Sequence, residues 1–217
     1  RMLRPVFALA GRDPTTGASV RPRADLERLG SRHGGWVIPA GLFDAGSICY
    51  CAGCGEDITF DLALIARWGC TVHAFDPTPR AIAHVARAAA GEDRYRFSPV
   101  GLWDRPGELR FYAPQDATHV SHSALNLQRT RTWFEGKVDR LSRLMAARGH
   151  ARLDLLKLDI EGAEYRVLDS LLDDGVRIGV LCVEYDECGN PLARGYRERI
   201  RASAARLLAA GYALVAA

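Results

Sequence analysis

The segment Cys51-Ala-Gly-Cys-Gly-Glu-Asp57 sets Gly53 and Gly55 between an apolar run and a helical pattern. Glycines at such a junction let the chain turn tightly and let a ligand lie against the main chain. The free N–H groups of the helix that follows attract a carboxylate or a phosphate. Asp76 closes the next apolar run, 23 residues after Gly53. A carboxylate at about that distance is placed to accept hydrogen bonds from the two hydroxyls of a ribose. A third segment, Leu155-Leu-Lys-Leu-Asp-Ile-Glu-Gly-Ala-Glu-Tyr165, ends its apolar run on Asp159 and carries Glu161 and Glu164 into another helix. Glu164 reads as a first-turn acid favoured by the helix dipole, and Asp159 as the better placed for function. Lys157 stands out because the chain writes Arg almost everywhere else, its one other lysine being Lys137.

Nicotinamide and sulfonium cofactors both suit this arrangement. The full dinucleotide pattern wants a third glycine three residues after the second, where this chain has Ile58. That disfavours a diphosphate cofactor and a nicotinamide-dependent oxidoreductase, for which no Tyr-x-x-x-Lys pair is found. S-adenosylmethionine has no phosphate, and its amino-acid end can lie over the glycine loop.

Such residues must be carried to one place by strands ending side by side. The spacing predicts strands over 47–52, 71–75, 95–102, 153–158 and 178–184, with a sixth beginning over 212–216. It predicts helices over 24–32, 58–68, 79–90, 139–148 (Asp139 as cap), 163–172 and 191–210. Residues 107–112 alternate like an added strand, 36–38 suit a short one, and 113–132 read as a loop long enough to suspect function. Alternating apolar strands and helices mean an α/β, Rossmann-like, doubly wound and mostly parallel sheet, whose ligands bind beyond the carboxyl ends of its strands where the order reverses. Residues 1–46 read as an N-terminal cap and 47–217 as the binding domain.

Composition narrows the partners. A chain of 217 residues with 48% hydrophobic and 25% charged residues has room for one domain with a full core. A net charge of +3 is too small to argue for nucleic acid, which counts against an RNA-modifying role. No apolar run reaches membrane-span length, and the stretch from Val6 to Ala10 is too short for a signal-peptide core. The Cys51-Ala-Gly-Cys54 pair has no second CxxC and no zinc-spaced His pair. The six cysteines therefore read as small buried groups suited to a reducing cytoplasm.

Phe75-Asp-Pro-Thr-Pro79 and Leu156-Lys-Leu-Asp-Ile-Glu-Gly-Ala-Glu164 resemble the FkbM-type methyltransferases, with the resemblance running from about Ser47 to Asp186. It implies a class I methyltransferase fold and an S-adenosylmethionine-dependent enzyme, usually an O-methyltransferase of natural products, sugars or glycolipids. By position, Gly53, Gly55 and Asp76 would hold the cofactor, with Cys51, Ala52, Asp57 and Pro77 around them. Leu102, Trp103 and Asp104 would lie near the adenine, and Asp159 and Glu161 near the transferred methyl. This chain departs from the family in having Cys49, Tyr50 and Cys51-Ala52 where an Asp and a Gly-Ala pair are common. A methyltransferase sheet usually has a seventh strand, so the natural chain is expected to continue past Ala217.

Methylating a hydroxyl calls for a base. The candidates are His122 and His119 in the 113–132 loop, and Asp159. Glu184, Asp186 and Glu187 read as solvated strand-end acids rather than a divalent-cation site, and no metal is predicted. Arg129, Arg131, Lys137, Arg140 and Arg143 form a loosely basic stretch that could greet an anionic acceptor, though a solvated face is the plainer reading. The expected acceptor is a small molecule or glycan, and a homo-oligomer is left open. A non-catalytic adenosyl-binding protein is the reading from another class. The polar groups kept at both strand ends argue against it.

Overall fold

A computed structural model describes residues 13–189, 191 and 193–217. The stretch from Val6 to Ala10 therefore lies outside the described residues. Five parallel strands form the central sheet in the order β10 (Arg177–Val183), β9 (Arg152–Leu158), β3 (Ile48–Ala52), β4 (Thr71–Phe75), β5 (Tyr95–Ser98). The order reverses between β3 and β9, so the glycine loop after β3 and the acidic turn after β9 emerge side by side. This is the α/β doubly wound fold expected.

β3 shows why both sheet faces are covered. Its alternate residues enter two apolar clusters, Cys49 and Cys51 on one face, Tyr50 and Ala52 on the other. Helices α1 (Thr59–Trp68) and α2 (Pro79–Ala88) cover the first face with Phe60, Leu64, Ala81 and Val85. Helices α3 (Leu141–Ala146) and α4 (Glu164–Asp173) cover the second with Leu141, Leu144, Val167 and Leu168. α1 stops at left-handed Gly69, whose N–H returns to the Ile65 carbonyl. α2 opens on Pro79, whose missing N–H costs nothing there. Of the six cysteines, Cys49, Cys51, Cys54, Cys70 and Cys182 are buried and Cys188 is exposed.

The N-terminal region differs from expectation. Residues 24–32 form no helix. β1 (Leu26–Leu29) pairs antiparallel with β2 (Trp36–Pro39), because Leu29 and Ile38 gain more by packing against the cluster around β3 than the local helical spacing offers. Of the segment expected as a cap, described from residue 13 onward, Leu29, Ile38 and Phe43 share a core with the domain.

The strand expected over 95–102 is two strands. At Pro99 the chain turns, with Val100 N–H donating to Ser98 O at 2.8 Å. β6 (Gly101–Trp103) then leaves the central sheet to join β8 (Trp133–Arg140) and β7 (Gly107–Tyr112), in the order β6-β8-β7. Asp139 belongs to β8, paired with Leu102, so α3 begins after it at Leu141. Helix α5 (Tyr196–Ala209) starts later than 191, behind left-handed Gly195. Residues 212–217 form no strand. Leu214 instead accepts one hydrogen bond from the Arg21 N–H at 2.7 Å.

Candidate functional site

The carboxyl ends of β3 and β9 touch. Gly53 is left-handed (φ +84°), and a Cβ there would lie 1.7 Å from the Asp159 carbonyl oxygen. Asp159 N–H donates to Ala52 O at 3.3 Å, and Gly53 N–H donates to Phe75 O at 3.0 Å. Beneath this junction Lys157 Nζ donates to Gly53 O at 2.6 Å and sits 3.4 Å from Asp159 Oδ2. Burial opposes its charge, but the carboxylates of Asp159 and Asp61 outweigh burial and hold the ammonium above its ordinary pKa. Asp61, buried in the first turn of α1, is in turn pushed up by burial and drawn down by Lys157.

Asp76 is turned into the glycine loop. Its Oδ2 accepts the N–H groups of Cys54 (2.9 Å) and Gly55 (3.0 Å), and Oδ1 accepts that of Thr78 (2.8 Å). Three of its roughly four lone-pair sites are thereby used in shaping the loop. Cys51 and Ala52 are buried in β3. Asp57 accepts from Ser31 Oγ at 2.5 Å and from Thr59 N–H at 3.0 Å, tying the loop to the N-terminal hairpin. Burial works against its charge, and these bonds still leave its carboxyl below the usual range. Pro77 packs beside Gly136 of β8.

Leu102 and Trp103 are buried on β6. The Arg166 guanidinium lies 5.0 Å from the Trp103 ring centroid and donates to Asp104 Oδ2 at 2.8 Å.

Beyond β9, Glu161 is half-buried and left-handed (φ +55°), a backbone state costing a non-glycine residue about 1–3 kcal/mol. Ser123 Oγ fixes it by donating to its carbonyl at 2.6 Å. Burial pushes the Glu161 carboxyl up to about 7, opposed by a hydrogen bond from Ser121 and assisted by the charges of Asp159 and Glu184. Glu164 is structural: its buried carboxylate accepts the N–H groups of Ile160 (3.1 Å) and Gly162 (3.0 Å). The Asp186 carboxyl is pushed well up, by burial first and then by the charges of Glu161, Glu164, Asp159 and Glu184. Glu187 is buried and paired with Arg199. Among the described residues no three His, Cys, Asp or Glu side chains are grouped to hold a metal ion.

The 113–132 loop folds across these strand ends. Val120 Cγ2 lies 3.3 Å from where a Cβ on Gly55 would be. Of the loop histidines, His119 is exposed, its Nε2 3.9 Å from Asp116 Oδ2. His122 is half-buried against Phe134, with Nδ1 3.0 Å from Val120 O. The basic stretch is dispersed: Arg140 is bound to Asp174 and Arg143 to Asp139. Sequence reasoning passed over Arg80, which ties the loop to the site. A signal was present, since a cation in a helix's first turn opposes the dipole and needs an anion nearby.

A glycine loop and an acidic turn meeting at the switch point of this sheet define the methyltransferase-like Rossmann class. The chain matches the Methyltransferase FkbM domain over residues 51–201 and belongs to that family. It is 29% identical over 137 residues to "Probable methyltransferase-like protein 24" of Rattus norvegicus, and 28% identical over 137 residues to the protein of that name in Homo sapiens. Each match covers 62% of this chain and 31% of the relative, so the chain spans about a third of the length of the curated relatives it matches. No solved structure matches it significantly. Among the described residues no helix is long and apolar enough to cross a membrane.

Proposed function

We propose that this chain transfers a methyl group from S-adenosylmethionine to a hydroxyl oxygen of a sugar, glycolipid or other natural-product small molecule. The observation carrying this reading is the junction of the Gly53–Gly55 loop with Asp159, held by Lys157 from below and by Asp76 from the side. The residues fit the cofactor on a further observation. The buried Trp103 indole N–H has no hydrogen-bond partner among the described residues, a state costing about 1–3 kcal/mol that a ligand acceptor would relieve. Gly53 and Gly55 would face the amino-acid end, Asp76 would orient the loop for it, and Leu102 and Trp103 would supply apolar surface. The bound sulfonium supplies the activated methyl, leaving the protein to align the acceptor, exclude water and take its proton.

Isothermal calorimetry with S-adenosylhomocysteine, using NAD as the comparison ligand, tests the cofactor. The expected result is micromolar binding of the first and none of the second. Binding of NAD alone would replace this reading with an oxidoreductase.

For the proton, the geometry favours Glu161 over the other candidates. Asp159 is paired with Lys157, and His119 is exposed and paired with Asp116. A carboxyl titrating near 7 is matched to taking a proton at neutral pH. The base acts when deprotonated, so kcat/KM should rise with pH up to about 7 and then level. Glu161→Gln should lower kcat by roughly 10²–10⁴-fold and abolish that limb. A His122→Gln variant that lost the limb while Glu161→Gln kept it would move the role to the histidine.

A further inference from the structure

Arg80 stands at the start of α2, immediately after the Asp76 turn, and reaches in two directions. Towards the glycine loop its Nη2 and Nε meet Glu56 Oε2 (2.5 Å) and Oε1 (3.2 Å) as a two-pronged pair. Towards the 113–132 loop its Nη1 donates to the carbonyls of Ala117 (3.0 Å) and His119 (3.1 Å), and Nη2 donates to that of Thr118 (3.3 Å). Three consecutive carbonyls gathered on one guanidinium match the planar five-donor fork of arginine and no other side chain.

Beyond this clamp the same loop descends onto the site. Val120 sits over Gly55, Ser121 bonds the Glu161 carboxylate, and Ser123 bonds its carbonyl. Leu125 and Leu127 then rest on Gly162, at 3.4 Å and 3.2 Å from its would-be Cβ. The loop's two ends are closed on each other by Thr130 Oγ1 donating to Ala113 O at 2.6 Å and by Gln115 N–H donating to Gln128 Oε1 at 2.8 Å. Residues 116–123 therefore form a strap anchored at its base, spanning both halves of the switch point, with its far edge held by Arg80.

We propose that Arg80 is a positioning residue that docks residues 116–123 as a cover over the glycine loop, so that release of this clamp sets the rate at which a ligand bound there leaves. The part concerning the ligand rests on the cofactor reading above. The part concerning the cover does not. Glu56 serves as the anion that lets a guanidinium stand in the first turn of α2, and the fork then converts that fixed charge into a grip on the strap.

The test uses the full chain with Arg80→Ala and Arg80→Lys. Without ligand, limited proteolysis read by mass spectrometry should cut within 113–132 about 10-fold faster in Arg80→Ala, the worth of one or two such hydrogen bonds. Arg80→Lys keeps the charge but lacks the fork, so it should not restore protection. Dissociation of S-adenosylhomocysteine, followed by stopped-flow competition, should quicken by a similar factor. The melting temperature should stay within a few degrees, because the pair is exposed. Unchanged cleavage in Arg80→Ala, or full rescue by Arg80→Lys, would overturn the clamp. Faster cleavage with unchanged dissociation would overturn its control of ligand release. Failure of the unaltered chain to bind S-adenosylhomocysteine would sink the cofactor reading and leave proteolysis to decide the cover.

Discussion

Gly53→Ala should destabilise the fold by about 4 kcal/mol or more and abolish binding of S-adenosylhomocysteine, whereas Gly55→Ala should cost about 1–2 kcal/mol. Both glycines are left-handed, at φ +84° and +52°, so each substitution carries the steric penalty of that conformation. What separates them is the neighbour a new Cβ would meet. At Gly53 it is backbone, the Asp159 carbonyl oxygen at 1.7 Å and its carbon at 2.8 Å. Relief would require β3 and β9 to part at the point where Ala52 accepts the Asp159 N–H and Lys157 reaches the Gly53 carbonyl. At Gly55 the neighbour is Val120 Cγ2 at 3.3 Å, the tip of a side chain on a surface loop, which can move aside. With total stabilities of about 5–15 kcal/mol usual for a domain, the first change removes much of the margin and the second little of it. Urea unfolding of the two variants checks the order. Equal losses would mean that the strand-end contact is not what requires glycine at position 53.

That asymmetry marks where the sequence stops being legible. Two glycines between a strand and a helix announce a tight turn, and Asp76 and Asp159 announce strand ends. The sheet that joins them follows from apolar runs and helical spacing, which are local signals. Which glycine touches another strand is a tertiary fact. So is the engagement of Asp76 by the Cys54, Gly55 and Thr78 N–H groups, where sequence spacing implied a carboxylate open to a ribose. The errors have the same origin. Leu26 and Leu29 stand three apart as on a helix face, yet hairpin pairing with Trp36–Pro39 wins because the core cluster around β3 needs a cover. Residues 133–138 alternate Trp, Glu and Lys outward on an exposed sheet, with too weak an apolar signal to be read as a strand, and the break at Pro99 follows from β8 offering β6 a partner. For Arg80 the first-turn position signals that an anion is needed but not which one, because its partners, Glu56 and the carbonyls of 117–119, lie 24 to 39 residues away along the chain. Lys157 was the exception. As one of only two lysines in an arginine-rich chain, it stands out in the sequence alone.

Lys157→Met should cost about 3–5 kcal/mol, since removing one member of a buried ionic group leaves the others uncompensated. At a urea m-value of about 2 kcal/mol/M, the unfolding midpoint would fall by roughly 2 M. Methionine fills nearly the same volume, so the loss reports charge and hydrogen bonding rather than a cavity. Asp159 is part-exposed and can turn to water, and the Gly53 carbonyl loses one donor. Asp61 has neither escape: it is 3% exposed and keeps only neutral partners, among them the Tyr95 hydroxyl at 3.1 Å. Its carboxyl already sits above the ordinary 3.8 because burial disfavours the charge, with Lys157 pulling the other way. Deleting the ammonium must raise it further. A carboxyl whose folded pKa lies above its unfolded value binds its proton more tightly in the fold, so the fold is penalised as pH rises from the unfolded value towards the folded one. The deficit of Lys157→Met should therefore be smaller at pH 5 than at pH 8. Adding Asp61→Asn, which keeps the shape and carries no charge, should recover a large part of the loss and flatten this pH dependence. A deficit independent of pH and untouched by Asp61→Asn would assign the role of Lys157 to the Gly53 carbonyl alone. The ammonium would then hold the glycine loop as a hydrogen-bond donor and not as the counter-ion of the acids on both sides of it.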